Sequence, residues 1–207
     1  MEKSILFQLV VVLMIVATIS CKQDEGPLPY LGQKVIEDDK EIYHTIPPFE
    51  LVNQDSLVIN NESLSDNIYL VDYFFTHCPS ICPVVKKNLL TVYEELKDES
   101  LFKLVSISMD PKRDSVKLLK RYATNLGVDH DKWWFLTGNK DEIMDLAPSF
   151  FIVAYEDADV PGGFDHSGKV VLVDKKGHVR AFAEGTEAGD VKKLIPKIKR
   201  LIREYEG

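Results

Sequence analysis

Cysteine is scarce in this 207-residue sequence, which contains only three. Three cysteines are too few for the network of disulfides that stabilises small secreted scaffolds. The sequence also has no excess of basic residues: it contains 25 Lys and Arg and 33 Asp and Glu, which gives a formal net charge of -8. Phosphate neutralisation needs clustered Lys and Arg, so this balance argues against a nucleic-acid partner.

Internal repeats and low-complexity tracts are absent from the sequence as well. The composition, 45% hydrophobic and 28% charged, is that of an ordinary globular protein and excludes an intrinsically disordered one. The length predicts one domain of the usual size with short extensions.

One long hydrophobic run is present, at residues 4–19, and Ser20 and Cys21 follow it directly. An apolar run of this length, then a small residue and a cysteine, is similar to a bacterial lipoprotein signal in which the cysteine becomes lipidated. We therefore expect residues 1–20 to be a signal peptide and Cys21 to carry lipid. The alternative is an uncleaved membrane anchor, since the run approaches the minimum span of a bilayer. Both alternatives predict a bacterial cell-envelope protein, membrane-anchored and facing outside the cytoplasm.

The next segment, residues 21–45, contains Pro27, Pro29, Gly32 and a charged patch at residues 37–41. This composition is typical of a spacer and predicts a flexible tether between the membrane and the domain. The folded domain is predicted to span residues 46–207.

Strand and helix patterns alternate through that domain and end in a hairpin and a helix. The predicted strands are Phe49–Val52 and Leu57–Ile59 (an N-terminal hairpin), Ile68–Phe75, Leu104–Ser108, Trp133–Leu136, Lys169–Asp174 and His178–Ala183. The predicted helices are Pro83–Lys97, Asp114–Leu126, Asn139–Ala147 and Asp190–Tyr205, the last with a kink or late start at Pro196. This order predicts an α/β domain with a mixed sheet flanked by helices, compatible with a thioredoxin-like core.

The other two cysteines, Cys78 and Cys82, lie between a buried strand and the start of a helix. Backbone N–H groups and the helix dipole at that position favour a thiolate. The Cys-x3-Cys spacing is not the Cys-x-x-Cys of thioredoxin-type redox motifs, so oxidoreductase activity does not follow from it. A structural disulfide would close almost no loop and would contribute little stability. The pair is therefore predicted to form a reversible disulfide or to hold a soft metal.

Histidine is the best candidate for a further ligand. His44, His130 and His178 lie in the tether, a polar loop and a hairpin, where local hydrogen bonding is expected. His77 adjoins Cys78, and neighbouring side chains often diverge. His166 lies in a glycine-containing loop, Gly162–Ser167, next to an acidic stretch. Two thiolates and one imidazole suit copper, whereas zinc usually takes a fourth ligand.

Several motifs together resemble the SCO/SenC family, the copper-binding assembly factors of cytochrome c oxidase. The matching segments are Tyr73–Pro83, with Cys-Pro-x-x-Cys-Pro in it, Ser106–Asp114, Trp134–Gly138 and Asp165-His166. The resemblance extends from Ile46 to the end of the chain. It implies a thioredoxin-like fold, with an inserted loop that carries a histidine ligand.

The resemblance further implies that Cys78, Cys82 and His166 bind one copper ion, as Cu(I) or Cu(II). Asp165 would then orient His166, because ligating histidines usually donate their other N–H to an acceptor. Ser80 and Ser167 depart from the residues common in the family, but neither is an implied ligand.

These features predict a copper chaperone rather than an enzyme with turnover. It would deliver copper to the binuclear centre of the oxidase's copper-bearing subunit, with a copper donor and a thiol reductant as further partners and no nucleic acid. A thiol–disulfide reductase acting on the oxidase's copper-ligand cysteines is the alternative, with Cys78 and Cys82 as the redox-active pair. A redox or copper sensor is a third hypothesis. Only the reductase can dispense with His166.

Overall fold

A mixed β-sheet flanked by helices forms the centre of the protein in a computed structural model that describes residues 26–206. The described strands, in chain order, are β1 (Lys34–Glu37), β2 (Lys40–Tyr43), β3 (Glu50–Asn53), β4 (Val58–Asn60), β5 (Ile68–Phe74), β6 (Phe102–Ser108), β7 (Trp133–Thr137), β8 (Ala154–Glu156), β9 (Phe164–His166), β10 (Lys169–Val173) and β11 (Val179–Glu184). The described helices are α1 (Asn61–Leu64), α2 (Cys82–Leu96), α3 (Val116–Leu126), α4 (Lys140–Leu146), a 3₁₀ helix (Ala147–Phe150), α5 (Ala188–Lys192) and α6 (Leu194–Glu206).

Seven strands pair in the order β11-β10-β5-β6-β7-β3-β4. The central strands β5, β6 and β7 are parallel, and the outer pairings are antiparallel. Every residue of β5 is buried, because helices cover both faces of the sheet. Phe74 packs against Tyr122 of α3 on one face, and the next residue back, Tyr73, donates a hydrogen bond to the Ile143 carbonyl of α4 on the other. This is the predicted thioredoxin-like α/β class, and the fold prediction is confirmed.

Two predicted helices differ from the structure by more than one residue at an end. Helix α3 begins at Val116 rather than Asp114, because Ser115 caps it and the Asp114 carboxylate is buried in tertiary contacts. The last predicted helix is divided at Lys193 into α5 and α6. Pro196 is the third residue of α6, where its missing N–H breaks no intrahelical bond, so the late start is confirmed.

The described part of the predicted tether, residues 26–45, is folded and contacts the domain on both sides of the largely exposed β1–β2 hairpin, and the expectation of a flexible spacer is wrong where the chain makes these contacts. Leu28 is buried, its N–H donates to Glu204, and its carbonyl accepts from Arg180. The charged patch is a hairpin turn between β1 and β2, in which Asp38 and Asp39 have φ of 49° and 59°. Aspartate tolerates this left-handed backbone conformation, so a tight turn of this kind can have the same amino-acid composition as a flexible spacer.

Among residues 26–206, no helix has the length and apolar character needed to cross a bilayer. The hydrophobic run and Cys21 lie outside the described residues, so the signal peptide and the lipidation of Cys21 stay predictions.

Candidate metal centre

The cysteine loop, which we define as residues 75–82, connects the carboxyl end of β5 to the first residue of α2. Its backbone is held at two points. The Cys78 N–H donates to the Phe75 carbonyl at 3.2 Å, and both the N–H and the hydroxyl of Thr76 donate to the carboxylate of Asp114. Ser108 donates to the same carboxylate at 2.6 Å. The loop is therefore fixed to the end of the neighbouring strand β6.

Cys78, Cys82 and His166 come together at this end of the sheet. One donor atom of each lies within 4.8 Å of the other two, and all three residues are buried. The Cys82 Sγ is 3.4 Å from His166 Nε2, and both cysteines are free thiols. Residues separated by more than 80 positions in the sequence thus form one group of two sulfurs and one imidazole nitrogen.

The two thiols have different environments. At Cys78, burial alone would raise the pKa, but hydrogen bonds from Cys82 and Ser80 outweigh it, so the pKa of the Cys78 thiol lies below its usual value. At Cys82, burial is the larger cause and the thiol's hydrogen bond to Cys78 the second, and both raise its pKa far above the usual value. When the pair loses its first proton, the negative charge therefore lies on the Cys78 sulfur.

His166 is the last residue of β9, which pairs with β8 in a small separate sheet. We call residues 154–166 the histidine hairpin. Burial lowers the pKa of the His166 imidazole and favours its neutral, ligating form. Its ring meets that of Phe75 edge-on, with centroids 6.2 Å apart. The buried Nδ1 has no hydrogen-bond partner among the described residues, so the imidazole is held by packing and by the contact of its Nε2 with Cys82 Sγ.

Asp165 does not orient this imidazole. Its side chain is exposed and accepts a hydrogen bond from the Tyr155 hydroxyl at 2.8 Å. Successive residues of a strand point to opposite sides, so Phe164 and His166 face inward and Asp165 faces solvent. The expectation that Asp165 accepts the second N–H of His166 is wrong for this reason.

The other histidines lie outside the cluster and each makes a hydrogen bond, which is local only for His77 and reaches a distant segment of the chain for the other three. His77 is exposed and bonds the hydroxyl of Thr76, His44 bonds the Ser149 carbonyl, His130 bonds Asp55, and His178 bonds the His44 carbonyl.

Two groups that support the site are missing from the sequence interpretation. The sequence pattern places Asp114 at a helix start, although its carboxylate anchors the cysteine loop through Thr76. Beneath that loop, Lys86 donates to both carboxylate oxygens of Asp72, at 2.7 and 2.9 Å, and to the Ser106 hydroxyl at 2.6 Å. A carboxylate in an otherwise apolar strand and a lysine one helical turn after Cys82 are the signals that could have identified this buried pair.

Comparison with known proteins identifies the family. The SCO1/SenC family model matches residues 37–203. A SCO1/SenC family lipoprotein from Bacillus anthracis has a similar structure, with a TM-score of 0.70 and 25% identity over 76% of this chain and 95% of that one.

Two further solved structures are similar to the chain. Arabidopsis thaliana ScoI, solved with copper bound, has a TM-score of 0.64 and 28% identity, over 77% of this chain and 98% of that one. BsSco, described as having a disulfide switch and as a member of the Sco family of cytochrome c oxidase assembly proteins, has a TM-score of 0.64 and 30% identity, over 76% of this chain and 93% of that one. The chain belongs to the SCO1/SenC family.

Proposed function

We propose that this protein is a copper chaperone of the bacterial cell envelope, which holds one copper ion through Cys78, Cys82 and His166 and delivers it to the binuclear copper centre of cytochrome c oxidase. The observation that supports it most directly is the convergence of two sulfurs and one imidazole nitrogen within 4.8 Å. The copper-bound plant relative and the oxidase-assembly family of BsSco support the choice of metal and of partner.

The donor set fits copper by its chemistry. Thiolate sulfur is a soft ligand that selects Cu(I), and a mixed sulfur and imidazole set also accommodates Cu(II). Three protein donors leave zinc short of its usual four. The environment favours the ligating forms of Cys78 and His166, since the pKa of each is lowered, whereas the pKa of Cys82 is raised and its thiol would lose its proton on binding the metal. A site with few ligands also suits a carrier, because an incoming ligand of the acceptor can replace one of them.

The membrane location rests on the sequence. Cys21 would carry the lipid, and the family lipoprotein from Bacillus anthracis is a relative of that kind. Since the chain is already packed against the domain at Leu28, the spacer between Cys21 and the fold would be only a few residues long. The copper donor and the thiol reductant are partners of unknown identity.

Copper binding by the chain from Lys22 onward tests the ligand set. We expect one copper per chain and a thiolate-to-copper charge-transfer band. His166→Ala should abolish or greatly weaken that band and leave both thiols titratable, because the dithiol does not need the imidazole. His77→Ala is the matched control, since His77 is exposed and outside the cluster, and it should bind as the wild type does. Unchanged binding by His166→Ala would refute the three-ligand site.

A thiol–disulfide reductase is the second candidate, and one observation favours it. Cys78 and Cys82 both line a cavity of about 300 Å³. In this reaction the Cys78 thiolate attacks a disulfide of the partner, and one partner sulfur leaves as a thiol. Cys82 then displaces the second sulfur, so the partner gains two thiols and this protein a disulfide, which a thiol reductant must reduce again. Oxidase assembly in cells that carry His166→Ala separates the candidates, because only the chaperone needs the imidazole.

A further inference from the structure

One side chain connects the histidine hairpin to the rest of the site. Arg113, in the connection between β6 and α3, donates from Nη2 to the Gly162 carbonyl at 2.7 Å. Its Nε donates to the carboxylate of Asp110, which is buried. Asp110 thus fixes the guanidinium through Nε, and Nη2 at the other end contacts the histidine hairpin.

The point that Arg113 contacts is closely packed. Gly162 has φ of +97°, and a Cβ there would lie 2.7 Å from two carbons of the Phe75 ring. The same ring lies 5.4 Å from that of Phe164 and 6.2 Å from that of His166, centroid to centroid. The guanidinium carbon of Arg113 is 6.0 Å from the Phe75 centroid. Phe75, the first residue of the cysteine loop, is therefore the surface on which the hairpin rests.

The neighbour of Arg113 completes the connection. Asp114 accepts the two hydrogen bonds from Thr76 that fix the cysteine loop, while Arg113 holds the hairpin. Two consecutive residues thus bond the two segments that supply the sulfurs and the imidazole. The separation between His166 and the thiols depends on this short piece of chain.

We propose that Arg113 is a positioning residue that latches the histidine hairpin onto the cysteine loop, so that copper is retained while the latch is closed and released more readily when it opens. The inference rests on the proposed function for its copper readout. Gly162 and Gly163, with φ of +97° and +86°, lie in the turn between β8 and β9, which is the part of the hairpin that Arg113 holds.

A second cation, Lys140, contacts the same hairpin and holds it more weakly. Lys140, at the start of α4, pairs with Glu156 and lies 5.7 Å from the Phe164 ring centroid. The side chains of Lys140 and Arg113 are similarly exposed, at 38% and 44%, but the partner of Lys140 is an exposed carboxylate, and such ion pairs contribute little. Arg113, by contrast, donates to the Gly162 carbonyl, and its guanidinium is held in place by the buried carboxylate of Asp110. The latch is therefore assigned to Arg113.

The experiment measures copper release from the loaded protein into an excess of a Cu(I) chelator. Arg113→Ala removes a charge-assisted hydrogen bond, and we expect release to be about tenfold faster. Arg113→Lys should behave in the same direction, because an ammonium cannot bond Asp110 and Gly162 in the fork geometry of a guanidinium. Lys112→Ala is the matched control: Lys112 lines the same cleft, but no hydrogen bond from it to the hairpin is seen in residues 26–206, and release should be unchanged.

Two readouts separate the latch from a general loss of structure. In a His166→Ala background, loaded with Cu(I) through the two remaining thiols, Arg113→Ala should not accelerate release further, because the latch acts through the imidazole. Without metal, the backbone amides of residues 154–166 should exchange hydrogen faster in Arg113→Ala, while those of β5 and β6 stay as protected as in the wild type.

Release and amide exchange equal to those of the wild type would overturn the latch, as would an Arg113→Ala effect that persists without His166. If the wild-type protein bound no copper, the proposed function would fail, and the metal-free exchange comparison would still decide whether Arg113 holds the hairpin.

Discussion

The cysteine loop and the histidine hairpin contribute to the same cluster, but they are built differently. The loop joins the fully buried strand β5 to α2 and is hydrogen-bonded to Asp114, which is buried. The hairpin lies outside the main sheet, its strands are three residues long, and Asp165 and Tyr155 on it are exposed. Two of the proposed ligands are therefore part of the core, and the third is attached to it by packing and a few hydrogen bonds.

This difference suits a carrier of metal. Movement of the dithiol would disturb the central sheet, whereas movement of the hairpin would break few contacts, so we expect the imidazole to be the ligand that is released first. Local opening of a peripheral segment needs far less free energy than global unfolding. Three substitutions test the contrast, in order of decreasing effect on stability.

The largest effect is expected under the cysteine loop. Asp72→Ala would leave the Lys86 ammonium buried without its carboxylate, since their side chains are each 3% exposed. Breaking a buried ion pair in this way costs about 3–5 kcal/mol. Urea unfolding followed by circular dichroism measures the loss in the free energy of unfolding.

The matched control for Asp72→Ala replaces both partners, as Asp72→Leu with Lys86→Met. Exchange of a buried pair for apolar residues is often near neutral, so the double variant should be much more stable than the single one. A single variant as stable as the wild type would show that the loop does not depend on this pair.

An intermediate effect is expected in the hairpin. Gly162→Ala places a methyl group against Phe75 and forces a positive φ on alanine, and we expect a loss of about 1–3 kcal/mol with faster amide exchange in residues 154–166. Gly163→Ala is the control, because it has a similar φ but no atom within 4 Å of its Cβ position. Equal effects of the two variants would mean that contact with Phe75 does not seat the hairpin.

The smallest effect is expected at Asp165. Its side chain is exposed and bonds only Tyr155 in the part of the chain that the structure describes, so Asp165→Asn should change the free energy of unfolding by less than about 0.5 kcal/mol. The charge-transfer band of the copper-loaded protein should also be unchanged. A loss of the band comparable to that in His166→Ala would show that Asp165 orients the imidazole after all.

Regular elements were the predictable part of the fold. The buried strand β5, the N-terminal hairpin of β3 and β4, and the late start of α6 follow from local patterns of apolar residues and proline. The errors occur where a local pattern has two physical meanings. The charged patch around Asp38 and Asp39 suits a spacer or a tight turn, and Asp114 suits a helix start or a buried anchor.

By itself the sequence determined which chemistry is available: two thiols on either side of a helix start, and a histidine in a loop more than 80 residues away. It also determined the strands of the seven-stranded sheet and its longer helices, because their periodicity is local, but not the short strand pairs β1–β2 and β8–β9. Only the tertiary structure decided that His166 faces the sulfurs while Asp165 faces solvent, and that Arg113 and Asp114 hold the two segments together. Strand register and long-range hydrogen bonds depend on how distant segments pack, and that packing free energy is not encoded in any short stretch of chain.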